Sequence, residues 1–331
     1  MAATIKDIAK QTGLGLATIS SYLNGGNVRE KNRVKIEEAI EELHFEVNEV
    51  ARGLKTNRTK IIGVIIPELN SIFCAEVITE VEDNLRSHGY ATMICDCRTD
   101  EKLEEEAVDF LLHRRVDGLI SMPAGNTGNY FKRFIQAGKP VVLIDRKLPG
   151  IECDCVLIDN EGAARDAVQK LIQAGHKKIG MIAGPTAVYT SKERCQGYRK
   201  ALREAGMEPE DRMIVRGDYT LAGGADAMRR LLEKNPDMTA VFASNYEMTM
   251  GAIIAINELG IKIPNQISFI GFDNVEFAQA STPRLSIVTQ PTKEIGRHVS
   301  ELILERLEEN NKNHQGEIIR LQAGFMDGKS I

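Results

Sequence analysis

The sequence predicts an all-α head over residues 1–60, followed by a larger α/β core built as two similar halves. Short amphipathic stretches broken by glycine turns fill the head, which is the pattern of a few small packed helices. From Ile61 onward, short apolar runs alternate with amphipathic stretches, which indicates parallel sheets covered by helices. At 331 residues the chain is long enough for two or three domains.

Composition limits the class of protein. Hydrophobic residues make up 43% of the chain and charged residues 27%, which is typical of an ordinary globular protein. The longest apolar run, from Ile61 to Pro67, is too short to cross a bilayer, so we expect no membrane partner. The first residues contain no apolar signal-peptide core, which favours a cytoplasmic location. Six cysteines in so long a chain predict free thiols rather than a disulfide framework.

Charge is distributed unevenly along the chain. Residues 1–60 carry ten Lys and Arg against eight Asp and Glu, whereas the whole chain has a net charge of −5. A mildly basic head on an acidic body is consistent with a nucleic-acid contact confined to one end.

Three helices are predicted in the head. Thr4 and Asp7 form a capping-box pattern before the first helix, and Gly13 is a natural stop. A second helix follows over 16–23, with Ile19 and Leu23 facing inward, and a third covers roughly 31–43. The third helix buries one apolar face, formed by Ile36, Ala39, Ile40 and Leu43.

Two short helices joined by a tight glycine-containing turn, with a third to complete the core, are typical of a helix-turn-helix domain. In that geometry the second helix presents its N-terminal residues to the major groove of DNA. Apolar groups there can touch thymine methyls and hydroxyls can reach phosphates. The residues in question are Leu16, Ala17, Thr18, Ser20 and Ser21. Periodicity alone is equally compatible with a generic three-helix bundle.

The segment after the head is predicted to be a short helix over 47–55, marginal when isolated, followed by a linker to Lys60. The predicted domains are therefore a helix-turn-helix head over 1–46, a hinge over 47–60 and a core over 61–331.

Repeated strands and helices make up the core. The number of predicted strands is too large for one compact sheet, so two halves are expected. The predicted strands are Ile61–Pro67, Ala91–Cys95, Gly118–Met122, Val141–Ile144, Cys155–Ile158, Lys178–Ala183, Met213–Gly217, Ala240–Ser244 and Ser268–Phe272.

Polar and aromatic residues at the strand ends have the chemistry of a site for a polyhydroxylated ligand. Carboxylates and guanidinium groups pair well with neighbouring hydroxyls, and flat aromatic faces suit the C–H face of a sugar. The candidates are Phe73, Asp145, Arg146, Arg194, Tyr219, Asn245 and Asp273. Two structural alternatives remain: an Asp after a strand can cap the next helix, and Asp273 can simply pair with Arg194.

Motifs of enzymes are missing from the sequence. It contains no GxxxxGK, HExxH or GxSxG pattern and no GxGxxG after a strand, so we expect no catalysis and no cofactor. The pairs Cys95/Cys97 and Cys153/Cys155 invite a zinc hypothesis. Zinc sites normally show two-residue gaps, however, and a spacing of two on a strand is better explained by small buried side chains, so we expect no metal site.

A set of motifs in fixed order gives the chain a family resemblance. They are Thr4-Ile5-Lys6-Asp7-Ile8-Ala9, Ala17-Thr18-Ile19-Ser20, Leu23-Asn24-Gly25, Glu38-Ala39-Ile40-Glu41-Glu42-Leu43, Asn48, Ala51-Arg52-Gly53-Leu54 and Gly63-Val64-Ile65-Ile66-Pro67. Together they resemble the lactose-repressor/galactose-repressor (LacI/GalR) family of bacterial transcription regulators, and the resemblance covers the whole chain.

The resemblance implies roles for residues in the head and hinge. In that family a hinge helix inserts a leucine into the minor groove, and Leu54 matches that position. The DNA-binding positions it implies are Thr4, Leu16, Ala17, Thr18, Ser20, Ser21, Asn24, Arg29, Asn48, Ala51 and Leu54. Gly15 stands where a capping Ser is usual, and Ser21 where an Arg often contacts DNA, so the operator sequence does not carry over.

It also implies a periplasmic-binding-protein-like core with an effector between two subdomains. The chain is expected to cross between subdomains near Asp159, Thr289 and Ile318, giving one subdomain of about 61–159 and 290–317 and another of about 160–289 and 318–331. The implied effector positions are Phe73, Asp145, Thr190, Arg194, Tyr219, Asn245, Asp273 and Gln290, to which the strand-end pattern adds Arg146. Tyr246 stands where the family usually has Asp.

The expected function is allosteric repression of transcription. The partners are palindromic double-stranded operator DNA, a small-molecule effector of the sugar class and a second copy of the chain in a homodimer. A secreted solute-binding protein has a similar core, but the helix-turn-helix head and the lack of a signal peptide disfavour it. The sequence leaves open which ligand binds, whether it induces or co-represses, whether a protein corepressor is used, and whether dimers pair into tetramers.

Overall fold

The computed structural model describes residues 3–47, 53, 58–273, 275–308 and 316–331. The chain divides into two compact units, residues 1–60 and residues 61–331. The division falls at the end of the segment that the sequence predicts to be a linker.

The head contains the three predicted helices, Ile5–Thr12, Leu16–Leu23 and Glu30–Glu42. The Asp7 carboxylate accepts hydrogen bonds from the Thr4 backbone N–H at 2.8 Å and from the Thr4 hydroxyl at 2.7 Å, which fixes the start of the first helix. Gly13 ends that helix with a φ of 68°, a left-handed conformation that glycine adopts without steric cost.

Four buried side chains close the core of the head: Ile8, Ile19, Ile36 and Ala39. At least one comes from each helix, so the three helices pack around a single centre. Leu23, Ile40 and Leu43, which the sequence also places inward, are only partly buried against it.

Two six-stranded sheets form the core of the chain. In sequence order the strands are β1 Ile61–Ile66, β2 Ala91–Asp96, β3 Gly118–Ser121, β4 Val141–Ile144, β5 Asp154–Ile158, β6 Ile179–Ala183, β7 Ile214–Arg216, β8 Ala240–Ala243, β9 Ser268–Phe272, β10 Ser286–Thr289, β11 Ile318–Leu321 and β12 Gly324–Met326. The first sheet has the strand order β11-β5-β4-β3-β1-β2 and the second has the order β12-β10-β9-β8-β6-β7. All neighbours run parallel except β12, which pairs antiparallel with β10.

Helices cover both faces of each sheet, as the alternating pattern predicts. On the first sheet they are Ile72–Ser87, Glu101–His113, Lys132–Gln136 and Thr292–Glu308; on the second they are Asn160–Gln173, Tyr189–Glu204, Leu221–Lys234 and Tyr246–Glu258, and Val275–Ala280 follows β9. The nine strands predicted from sequence all occur, and each of their bounds is either the predicted residue or the one next to it.

The third crossing between subdomains lies later than the sequence suggests. The predicted boundary put residues 318–331 in the second subdomain, but Ile318–Leu321 pairs with β5 in the first sheet. The backbone N–H of Asp159 donates to the carbonyl of Leu321 at 2.9 Å, which continues that pairing to the end of the strand. The crossing therefore falls between Leu321 and Gly324, where β12 joins the second sheet.

The paired cysteines lie in and beside strands and are all free thiols. Cys97 and Cys155 are buried, and the Cys97 thiol donates to the Ile66 carbonyl at 3.1 Å. Burial raises the pKa of the Cys97 thiol to about 12. These side chains fill the core beneath the first sheet.

Candidate ligand cavity and DNA-binding head

The second helix of the head presents a mixed apolar and polar surface. Leu16 is 48% exposed and Ala17 is also exposed, although both lie in the first turn of the helix. Thr18, Ser20 and Ser21 are half-buried beside them, while Ile19 points into the core. A single exposed leucine is ordinary on a protein surface, so the DNA-binding interpretation of this helix rests on the helix-turn-helix geometry.

The remaining predicted DNA contacts in the head lie at helix ends. Thr4 and Arg29 are exposed and precede the first and third helices, and neither Gly15 nor Arg29 caps its helix with a side chain. The Asn24 side-chain amide donates to the Ser20 carbonyl at 2.7 Å and so closes the second helix. The three hinge positions, Asn48, Ala51 and Leu54, lie outside the described residues.

A cavity of about 410 Å³ opens between the two sheets of the core. This volume is within the usual range for small-molecule sites. The nine predicted effector positions all line it: Phe73, Asp145, Arg146, Thr190, Arg194, Tyr219, Asn245, Asp273 and Gln290. They come from both sheets because the carboxyl ends of the two sets of parallel strands border the same space.

Backbone strain is concentrated at this cavity. Asp145, Tyr219 and Asp273 have φ values of 66°, 66° and 61°. These values lie in the left-handed region of backbone conformation, which residues other than glycine rarely adopt. Asp145 follows β4 and Asp273 follows β9, so the strained turn occurs at equivalent places in the two halves. Strained residues persist where the surrounding structure fixes them, and they are common in ligand sites.

Arg194 is the most enclosed cation of the cavity, with only 4% of its surface exposed. Its Nε donates to the Asn160 side-chain oxygen and its Nη1 to the Ser244 carbonyl, both at 2.7 Å. The guanidinium also lies 3.8 Å from the centre of the Phe272 ring. Hydrogen bonds and a cation–π contact together offset the cost of burying this charge.

Asp273 lies near Arg194 and is held by Gln290. The Gln290 amide nitrogen donates to both carboxylate oxygens of Asp273 at 3.0 Å. Burial raises the pKa of Asp273 to about 7, against opposing contributions from Arg194 and from the Gln290 hydrogen bond. The alternative that Asp273 simply pairs with Arg194 finds no support, because no hydrogen bond or ion pair between these two described residues is observed.

Asn245 has a structural role that the sequence analysis raised as an alternative for strand-end residues. Its side-chain oxygen accepts from the Met248 backbone N–H at 3.1 Å and caps the helix Tyr246–Glu258. Its amide nitrogen donates to the Glu247 carboxylate. Glu247 itself lines the cavity and was missed from sequence, because it lies four residues past the end of β8.

The position of the Tyr219 ring depends on the absence of a side chain at Gly184. A Cβ atom at position 184 would collide with the Tyr219 ring, so Gly184 allows the ring to lie against the backbone there. The Tyr219 hydroxyl is buried and has no hydrogen-bond partner in the protein. Phe73 is partly buried on the opposite half, at the start of the helix Ile72–Ser87.

Comparison with known families accounts for both units of the chain. Residues 4–48 match the family described as bacterial regulatory proteins of the lacI family. Residues 59–327 match the family of periplasmic binding proteins and sugar-binding domains of the LacI family. The chain belongs to the LacI family.

Individual relatives agree with this assignment along nearly the whole chain. Catabolite control protein A of Priestia megaterium is 34% identical over 323 residues, which cover 97% of each chain. The transcriptional repressor CytR of Escherichia coli is 34% identical over 311 residues, covering 93% of this chain and 90% of the relative. Among solved structures, the complex of the transcriptional regulator CelR with cellobiose matches with a TM-score of 0.75 and 29% identity, covering 99% of each chain.

Membership of the LacI family makes this protein a DNA-binding transcription regulator with a ligand-binding core, and not an enzyme. Within the described ranges, no helix is long and apolar enough to span a membrane. In the same part of the chain, no group of three or more His, Cys, Asp or Glu residues is arranged to hold a metal ion.

We predict that Asp273 makes the stability of the protein depend on pH. Its pKa is raised on folding, so the folded state keeps a proton that the unfolded chain releases, and the contribution to stability falls as pH rises towards about 7. Asp273→Asn removes this titration. The free energy of unfolding of the variant, measured relative to wild type in urea, should therefore increase between about pH 5 and pH 7 and then level off.

Asp218→Asn is the matched control, because hydrogen bonds from Thr220 lower the pKa of the exposed Asp218. Its difference from wild type should stay flat over the same pH interval. An equally flat difference for Asp273→Asn would show that the Asp273 carboxyl titrates in its ordinary range.

Proposed function

We propose that this protein is a cytoplasmic, homodimeric repressor whose affinity for a palindromic operator is controlled by a sugar bound in the cavity of the core. The observation that carries the proposal is the cavity itself, in which the carboxylates, guanidinium groups and aromatic rings predicted from sequence line one enclosed space. A DNA-binding head on the same chain gives this cavity a regulatory use. Such a regulator acts where the chromosome is, which is the cytoplasm of a bacterium.

Several features of the cavity favour a sugar. Asp145, Asp273 and Arg146 present groups that bond to neighbouring hydroxyls. Phe73 and Tyr219 offer aromatic surface for the C–H face of a pyranose or furanose ring. The relative CelR is described in complex with cellobiose, and the same class of ligand is our proposal for this chain.

The head supports the DNA-binding half of the proposal through its second helix. Leu16 and Ala17, both exposed, are suited to contacts with thymine methyls, while Thr18, Ser20 and Ser21 can bond to phosphate oxygens. Thr4, Asn24 and Arg29 would add contacts to the backbone of the DNA. From the family resemblance, we propose that Asn48, Ala51 and Leu54 act in the minor groove, with Leu54 wedged between base steps.

Ligand controls operator affinity, in this proposal, by closing the cleft between the subdomains. Closure is expected because residues on both sheets must contact one ligand. The hinge over residues 47–60 connects the core to the head, and a short helix there is marginal in isolation, so a few kcal/mol are enough to switch it.

The protein should bind a two-fold symmetric DNA site in a salt-dependent manner. Two heads of a dimer must occupy matching half-sites, and contacts to phosphates release counterions. Selection of bound genomic fragments followed by footprinting should reveal a protected palindrome, and the affinity should fall steeply between low and moderate salt. An unsymmetrical footprint, or an affinity that salt does not change, would rule out this mode of binding.

Arg194→Ala should abolish the response to ligand but leave operator binding intact. Truncating a buried, hydrogen-bonded charge in a binding site should lower the affinity for the ligand by at least about tenfold. The matched control is Arg199→Ala on the same helix, since Arg199 forms a surface ion pair with Asp211 at 2.6 Å. Calorimetry with a sugar found by thermal-shift screening measures the effect. Normal ligand affinity in Arg194→Ala would move the binding site away from this cavity.

A further inference from the structure

Buried polar atoms without a partner accumulate in the wall of the cavity. Seven such side-chain atoms occur among the described residues, and three of them line the cavity: Asp145 Oδ1, Tyr219 Oη and Gln290 Oε1. Two of the three are oxygens that only accept hydrogen bonds, and the tyrosine hydroxyl can accept as well as donate. Leaving a buried acceptor unpaired is costly, so a ligand that satisfies these atoms must supply hydrogen-bond donors.

Part of the donor capacity of the wall is already used by the protein. Arg194 directs two of its five N–H groups to Asn160 and to the Ser244 carbonyl, as described above. Arg146 directs Nη1 to the Ala124 carbonyl at 3.3 Å, and its Nε lies 4.0 Å from the Asp145 carboxylate. The amide nitrogen of Gln290 donates to Asp273. The remaining guanidinium N–H groups can donate to a neutral hydroxyl as well as to an anion, so the choice between the two depends on the charge of the wall.

The charge of the cavity wall disfavours an anionic ligand. Among the described lining residues there are two guanidinium groups, Arg146 and Arg194, against six carboxyl groups. These carboxyl groups belong to Glu68, Glu76, Asp145, Asp218, Glu247 and Asp273. They come from both sheets, so in the proposed closed cleft their charges repel one another, although the Asp273 carboxyl, whose pKa is raised to about 7, is only partly ionised near neutral pH. A phosphate or carboxylate on the ligand would add to this repulsion.

Glu247 occupies the position where this effect should be largest. It lies in the first turn of the helix Tyr246–Glu258, and Asn245 holds its carboxylate through the side-chain amide. Glu68, on the other half of the core, also lines the cavity. Burial raises the pKa of Glu247 and the charge of Glu68 adds to this, whereas a backbone hydrogen bond and the charge of Arg194 act in the opposite direction.

We propose that the cavity takes a ligand that is rich in hydroxyl donors and carries no negative charge, and rejects its phosphorylated or carboxylated counterparts, with Glu247 as the specificity-determining residue. This inference rests on the proposed function, since it assumes that the cavity is the effector site. Ligand hydroxyls donate to Asp145, Tyr219 and Gln290, while Glu247 repels an anionic substituent across the cavity.

The test is calorimetry on the full chain with matched sets of sugars. Each set contains a neutral sugar, its phosphate and its uronate, for example glucose, glucose 6-phosphate and glucuronate, with corresponding pentose and disaccharide sets. The neutral member of one set should bind, and its phosphate should bind at least about 100-fold more weakly, because like charges at close range cost several kcal/mol.

Glu247→Gln should reduce this discrimination by about tenfold, because it removes one charge and keeps the shape of the side chain. Glu258→Gln is the matched control on the same helix; Glu258 forms a surface ion pair with Arg229, so its replacement should leave the discrimination unchanged. Thermal unfolding of both variants establishes that they fold.

The outcomes separate the inference from the proposed function. A phosphate or uronate that binds as tightly as its neutral counterpart, and changes operator affinity, would overturn the inference and leave the proposed function standing. Unchanged discrimination in folded Glu247→Gln would overturn the role of Glu247. If no member of any set binds or alters operator affinity, the proposed function fails, and the inference fails with it.

Discussion

The candidate ligand site of this protein depends on the geometry of parallel sheets. In such a sheet all strands end at one edge, so polar residues placed after different strands come together without any further design. Here two sheets have their carboxyl ends at the same cavity. Asp145, Asp273 and Gln290 each follow directly after a strand, and Asn245 lies two residues past β8. These four polar groups are therefore positioned by the buried strands behind them, whereas Arg194 and Glu247 reach the cavity from helices.

Enclosure then determines what these groups can do. Arg194 is nearly buried and is supported by Asn160, the Ser244 carbonyl and the Phe272 ring, which take two of its five N–H donors and one face of the guanidinium. The same enclosure raises the pKa of Asp273 and leaves oxygens of Asp145 and Gln290 unpaired. An acceptor-rich, acidic cavity follows from these contacts, and it favours ligands that bring donors without bringing negative charge.

Much of this arrangement could be predicted from the sequence, for identifiable reasons. Buried parallel strands are continuous apolar runs, so β1, β4 and β9 are recognisable by themselves, and the rule that ligands bind at strand ends then selects Asp145 and Asp273. The capping pair Thr4 and Asp7 likewise marks a helix start from local chemistry alone. The family resemblance added Thr190 and Gln290, which no local pattern distinguishes.

Other features required coordinates because they depend on distant partners. The strand Ile318–Leu321 lies at a sheet edge with partly exposed residues, so only its pairing with β5 shows which subdomain it joins. The helix Asn160–Gln173 begins with polar residues and glycine and was not predicted. The roles of Asn245 and Glu247 likewise depend on side-chain orientation, which the sequence does not show. The Asn245 side chain caps the helix Tyr246–Glu258 and donates to Glu247, whose carboxylate lies in the cavity wall.

The central claim is that ligand binding in the cavity and operator binding by the head are thermodynamically coupled. The most direct test is a pair of titrations on the full chain, which measure operator affinity with and without saturating ligand and ligand affinity with and without saturating operator. Coupling free energies are reciprocal, so the account predicts the same ratio in both titrations, of at least about fivefold. A ligand that binds in the cavity with an affinity that operator DNA leaves unchanged would contradict it.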